Sequence, residues 1–114
     1  MSTDSRAGTR ATAADLVDVE KLLRAYHDDH PDPSNPLQAV AFGTSGHRGS
    51  SLSTTFNDDH IAATSQAIVE YRTREGTDGP LFVGADSHAL SGPALQTCVE
   101  VLAANDVAVL VDAA

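Results

Sequence analysis

Aromatic residues are scarce in this sequence: they make up 4% of its 114 residues, and there is no tryptophan. Any core must therefore be built from Val, Leu, Ile and Ala, within an apolar share of 41% that is ordinary for a soluble chain. There is one cysteine, Cys98, which excludes an internal disulfide and a cysteine-based metal cluster. This usage suits a reducing compartment, and a cytoplasmic location is the expectation. No apolar run approaches the roughly 20 residues of a membrane-spanning helix. Residues 2–12 are polar and lack the apolar stretch of a secretory signal.

Cations are scarce as well. Seven Lys and Arg against sixteen Asp and Glu give a formal net charge of −9. Nucleic acids and anionic membranes both require clustered cations, so neither is an expected partner. A surface of this sign repels small anions unless one spot is locally positive. Arg48 is the sole Lys or Arg between Arg24 and Arg72, and it sits in a glycine-rich loop.

Residues 1–13 carry no hydrophobic period and read as a disordered tail. A helical period starts at Asp15, with Leu16, Val19, Leu23 and Tyr26 on one face, and ends near Asp28. Pro31, Pro33 and Pro36 then impose an extended connector, so residues 14–37 form a helix and a proline-rich link. The apolar run 39–42 predicts a buried strand. Asn57 predicts a helix N-cap, with Asp58 and Asp59 in the first turn and Ile61, Thr64, Ile68 and Tyr71 on the apolar face. Gly76 closes that helix. Residues 81–83 predict a second strand. A third helix starts near Ser91, with Leu95, Cys98, Val99 and Leu102 as its stripe and Asn105 at its end. Residues 107–111 predict a strand covered on both faces. The order, helix then strand–helix–strand–helix–strand, predicts an α/β layered sheet with helices on its faces. The last strand ends near the C-terminus with no closing helix after it, so residues 38–114 read as an incomplete domain in a truncated chain.

The loop Gly43-Thr44-Ser45-Gly46-His47-Arg48-Gly49 carries the chemistry. Its glycines permit sharp turns and expose backbone N–H groups, which bind anions in concave runs. Thr44 and Ser45 add hydroxyls, and Arg48 adds a planar fork suited to phosphate oxygens. The pattern is neither a P-loop nor a dinucleotide fingerprint, whose glycine spacing and immediate helix are absent. Composition alone leaves two readings open, phosphate binding and a plain structural turn.

Residues 42–49 resemble the opening motif of the α-D-phosphohexomutase superfamily, closest to its glucose-phosphate-specific bacterial members. The resemblance continues through Phe56-Asn57, His60, residues 83–91 and residues 101–105, and covers about residues 38–112. It implies the first domain of a four-domain enzyme that interconverts glucose 1-phosphate and glucose 6-phosphate. A phosphoserine donates its phosphoryl group and a bisphosphorylated sugar forms and reorients, which makes the enzyme an isomerase of carbohydrate metabolism. Mg2+ and glucose 1,6-bisphosphate are the implied cofactors, and the sugar phosphate and the remaining domains are the implied partners. By the same resemblance Arg48 lies at the edge of the active site, with Ser45 and Thr44 shaping its loop. His88 is a further candidate for substrate contact, at the third helix's N-terminus. The family's Ser-His-Asn-Pro-type phosphoserine motif does not occur here, since Ala89-Leu90 follows Ser87-His88. No catalytic residue and no metal ligand is therefore assigned, and these 114 residues alone are expected to be inactive. The alternative is a stand-alone, non-catalytic phosphate-binding or regulatory α/β module.

The remaining polar residues read as structural. Asp86 is expected to brace its loop, and Ser91 to satisfy the amides opening the third helix. His47 is expected to face solvent, as is the run 27–30. Neighbours Asp58, Asp59 and His60 are expected to point apart rather than hold a metal, and Cys98 to pack as a small hydrophobe.

Overall fold

The computed structural model describes residues 3–112. Three helices and one parallel strand pair follow in the order α1 (Val19–Asp28), α2 (Asp58–Arg74), β1 (Leu81–Val83), α3 (Ser91–Ala104) and β2 (Val109–Val111). This is the expected α/β class, with β1, α3 and β2 forming a strand–helix–strand unit. The register pairs Leu81 with Val109, Phe82 with Leu110 and Val83 with Val111.

Helix α1 begins later than its apolar period predicts. Asp18 caps it, accepting a hydrogen bond from the Lys21 N–H at 3.0 Å, so the start falls at Val19 rather than Asp15. Leu16 and Val19 are left exposed, and the buried face is Leu22, Ala25 and Tyr26. Leu22 and Tyr26 form a core cluster with Leu90, flanked by Leu23, Phe56, Ile61 and Ala89. Full burial of a side chain such as Leu22 or Leu90 contributes about 2 kcal/mol.

Asn57 occupies the N-cap position of α2, as expected, but its side chain makes no capping hydrogen bond: Oδ1 is buried without a partner among the described residues, and Nδ2 donates to the Ala25 carbonyl. The helix ends in a left-handed Gly76 (φ 64°). There the Thr77 N–H reaches back to the Arg72 carbonyl and the Gly76 N–H to that of Thr73. Helix α3 ends the same way at Asn105, but with Asp106 (φ 58°) in the left-handed position. The two helices pack along each other.

The buried face of α2 differs from the predicted one. His60, Ser65 and Val69 are buried, whereas Ile68 and Tyr71 are exposed and Ile61 and Thr64 half-buried. Ile61, Thr64 and Ile68 of the predicted stripe line an open cleft with Val83 and with Ala94, Leu95 and Cys98 of α3, while Thr64, Ile68 and Tyr71 also border the extended segment holding Val40 and Phe42. Between them runs an apolar groove of about 600 Å³.

Residues 39–42 do not form the predicted buried strand. No strand among the described residues lies beside them, and the backbone makes a single antiparallel bridge, Phe42 to His47. Phe42 is accordingly 65% exposed. Strand β2 is shorter than the run 107–111, because Val107 serves the end of α3 by donating to the Leu102 carbonyl. Nor is β2 covered on both faces, for Leu110 and Val111 remain exposed. On α3, Leu102 is fully buried, while Leu95, Cys98 and Val99 are half-buried.

Candidate functional site

The segment from Phe42 to Gly49 is a tight turn followed by a pinned arm. The Gly43 N–H donates to the Gly46 carbonyl at 3.0 Å, which folds Thr44 and Ser45 into the tip. Gly46 has φ 130°, a conformation that favours glycine. Gly49 is required for a different reason. A Cβ there would lie 2.6 Å from Thr55 Oγ1 and nearer still to the Thr55 carbonyl oxygen.

His47, expected to face solvent, is half-buried and organises the arm. Its Nε2 is 2.6 Å from the Thr55 carbonyl oxygen, which can only accept, so Nε2 carries the hydrogen. Bare Nδ1 then accepts from the Ala41 N–H at 3.1 Å. The equally close Ala41 carbonyl is a neighbour rather than a partner in this tautomer. The ring lies nearly parallel to those of Phe56 (6.2 Å, 5°) and His60 (5.7 Å, 15°). His60 is 2% exposed and is itself held at both nitrogens. The Asn57 N–H donates to Nδ1 at 3.1 Å, and Nε2 donates to the Gln38 carbonyl at 2.6 Å.

Arg48 follows directly in the chain. Its side chain has no hydrogen-bond or ion-pair partner among the described residues, and it lines a cleft of about 420 Å³. The opposite wall comes from the segment between β1 and α3: Asp86, His88, Leu90 and Ser91. Here the Leu90 N–H donates to His88 Nδ1 at 3.1 Å. In neutral His88 the remaining ring donor is therefore Nε2–H, on a residue lining the cleft. Asp86 accepts from the His88 N–H at 3.0 Å and from the Ser91 hydroxyl. These bonds, the Ser91 hydroxyl foremost, hold the Asp86 carboxyl below its usual range. Asp86 thus braces the loop, as expected. Ser91, spent on Asp86, leaves α3 without a side-chain cap, contrary to expectation.

The structure brings Arg48 and His88 to one cleft from distant parts of the sequence. Thr44 and Ser45 stay exposed at the turn tip and do not line it. Asp58, Asp59 and His60 diverge: Thr97 Oγ1 donates to Asp58, Asp59 pairs with His30 at 2.7 Å, and His60 faces Gln38. Among the described residues no three His, Cys, Asp or Glu side chains converge as metal ligands. The positioning of the loop by His47 and His60 was missed from sequence. The available signal was Asn57 preceding His60 at capping-box spacing.

Residues 39–113 match the family of phosphoglucomutase/phosphomannomutase, alpha/beta/alpha domain I. The chain belongs to the phosphoglucomutase/phosphomannomutase family. A phosphoglucomutase of Komagataeibacter xylinus is 58% identical over 98 residues, covering 86% of this chain. The chain spans 18% of that relative's length. The phosphoglucomutase/phosphomannomutase match includes both walls of the cleft, α2, α3 and both strands. Helix α1 precedes it, yet supplies Leu22 and Tyr26 to the core. No helix among the described residues is long and apolar enough to cross a membrane.

Proposed function

We propose that the chain forms the first-domain part of a phosphoglucomutase. That enzyme interconverts glucose 1-phosphate and glucose 6-phosphate through a phosphoserine and a bisphosphate intermediate, as a cytoplasmic enzyme of carbohydrate metabolism. One observation carries the reading: the uncommitted Arg48 guanidinium and His88 line one cleft in a chain of net charge −9. Arg48 supplies a permanent charge and a bidentate fork for phosphate oxygens. Neutral His88 adds the Nε2–H donor left by its bond to Leu90. Thr44 and Ser45 form an outer rim that meets the sugar phosphate from the turn tip. Asp86 repels the anion, so the phosphate sits toward Arg48.

The nucleophile comes from elsewhere in the enzyme, because the Ser-His-Asn-Pro-type run is absent from these residues. Glucose 1,6-bisphosphate belongs to the proposal as activator and intermediate. Magnesium belongs to it as well, but the divergent Asp58, Asp59 and His60 do not fit such an ion. Its ligands are assigned to the remaining domains, and no step here runs through it.

Titration of the isotope-labelled chain with glucose 1-phosphate tests the site. Shifts at Arg48 and His88 that vanish in Arg48→Ala are expected, whereas shifts unchanged by Arg48→Ala would sink the reading. In a coupled mutase assay the 114-residue chain is expected to be silent, with turnover appearing when the remaining domains of the relative are joined to it. Turnover by the chain itself would place a nucleophile within it.

A further inference from the structure

We infer that His60 is a positioning residue for Arg48, acting through the ring of His47; the inference rests on the phosphate-binding reading of that loop. His60 is buried in α2 and does not line the cleft. Both its nitrogens are tied to backbone, at the Asn57 N–H and the Gln38 carbonyl, so its ring plane is fixed relative to α2. His47 lies against this plate at 5.7 Å and 15°. His47 in turn joins the two limbs of the arm, taking the Ala41 N–H and giving to the Thr55 carbonyl. Arg48 is the next residue, and Gly49 beyond it is pressed against Thr55. The exposed guanidinium thus extends from backbone held on both sides. One of those holds is referred, ring to ring, to the rigid start of α2. Such support reduces the ordering cost when an anion binds.

A purely structural His60 would only staple the start of α2, and two substitutions separate the roles. His60→Gln keeps a capping-box side chain at the third helical position but removes the ring. His60→Phe keeps a ring and fills the buried site but loses both hydrogen bonds. The 114-residue chain and both variants are titrated with glucose 1-phosphate by NMR, with Arg48→Ala as control. Thermal melting and the His47 ring nitrogen resonances are recorded alongside.

Positioning predicts that His60→Gln melts near the parent, weakens the sugar phosphate about tenfold and moves the His47 ring signals. It also predicts that His60→Phe melts lower yet binds near the parent value while folded. Parent-like binding and unmoved His47 signals in both variants overturn the inference, as does weakening in His60→Phe alone. If the parent itself binds no better than Arg48→Ala, the phosphate reading fails. The His47 and Arg48 side-chain resonances in His60→Gln then decide the mechanical link, movement supporting it and constancy overturning it.

Discussion

The Tyr26 hydroxyl lies 2.8 Å from Thr97 Oγ1, joining α1 to α3 across the core. Thr97 has one hydrogen and two acceptor-only neighbours, Asp58 Oδ1 at 2.6 Å and the Pro93 carbonyl at 3.1 Å, and the nearer, charged carboxylate takes it. Tyr26 must then be the donor to Thr97. The three side chains form a directed chain from α1 through α3 to the first turn of α2.

Burial is the main cause that pushes the Tyr26 phenol up to about 12, with the nearby Asp58 charge acting in the same direction. The unfolded chain releases this proton near the ordinary value of 10.0, while the folded chain keeps it. Stability is therefore whole below about pH 10 and falls as pH rises through about 12. Tyr26→Phe should lose about 1 kcal/mol at neutral pH and flatten the alkaline limb. Urea unfolding across that range reads both. An identical alkaline slope in the variant would refute the assignment.

Asn57 and Ser51, both fully buried, tie α1 to the segment before α2. Asn57 Nδ2 donates to the Ala25 carbonyl and Ser51 Oγ to the Leu22 carbonyl, each at 2.7 Å. Asn57→Ala should cost about 2 kcal/mol and Ser51→Ala about 1, since Asn57 Nδ2 also reaches the Ser51 carbonyl, and its loss strands two buried acceptors rather than one. The double variant should cost less than the sum, because either loss loosens the same junction. Strict additivity in denaturant unfolding would show the two ties to be independent.

Gly49→Ala drives a methyl group into Thr55, which cannot yield without releasing its bonds to Ser50 and His47. A loss of about 2 kcal/mol is expected, in the range for overpacked sites. Weaker sugar-phosphate binding should accompany it. Parent-like melting and binding would mean that the arm shifts freely.

The Asp86 carboxyl is held down chiefly by the Ser91 hydroxyl, then by the His88 N–H. Its contribution to loop order is present above its ordinary value of 3.8 and is lost as pH falls through the depressed one. Ser91→Ala should raise the Asp86 carboxyl toward 3.8 and broaden the His88 amide resonance at higher pH than in the parent. Carboxyl carbon NMR titration checks this. An unmoved Asp86 titration would assign the depression to another partner.

Local signals were the legible part of the fold. The Asn57 cap, the Gly76 stop, strand 81–83 and helix 91–104 are set by neighbouring residues, and the structure repeats them closely. What periodicity could not tell was which side of a helix meets a neighbour. On α2 the apolar stripe through Ile68 and Tyr71 looked like the core face, but the buried positions are His60, Ser65 and Val69, and Ile68 borders open clefts on both sides. Residues 39–42 are apolar enough for a strand, yet a strand needs a partner, and none lies beside them among the described residues. Arg48 and His88 were legible as phosphate candidates, and the cleft joins them. His47 and His60 were not: the capping-box spacing of Asn57 and His60 marks a helix start, but the near-parallel contact between rings thirteen positions apart has no counterpart in spacing.

Strand β1 and its partner are parallel, so no tight turn can set their alignment. That task falls to α3, whose 14 residues return the chain over about 21 Å. The helix is in effect a ruler with an angular scale. Removing one residue from its middle swings everything beyond by about 100°, and carries Val109 off Leu81. Adding four overshoots a full turn by about 40°, and brings the strand back much closer to phase. Pairing between Phe82 and Leu110 is thus written as helical phase, and amide exchange in the strands would report each miscount.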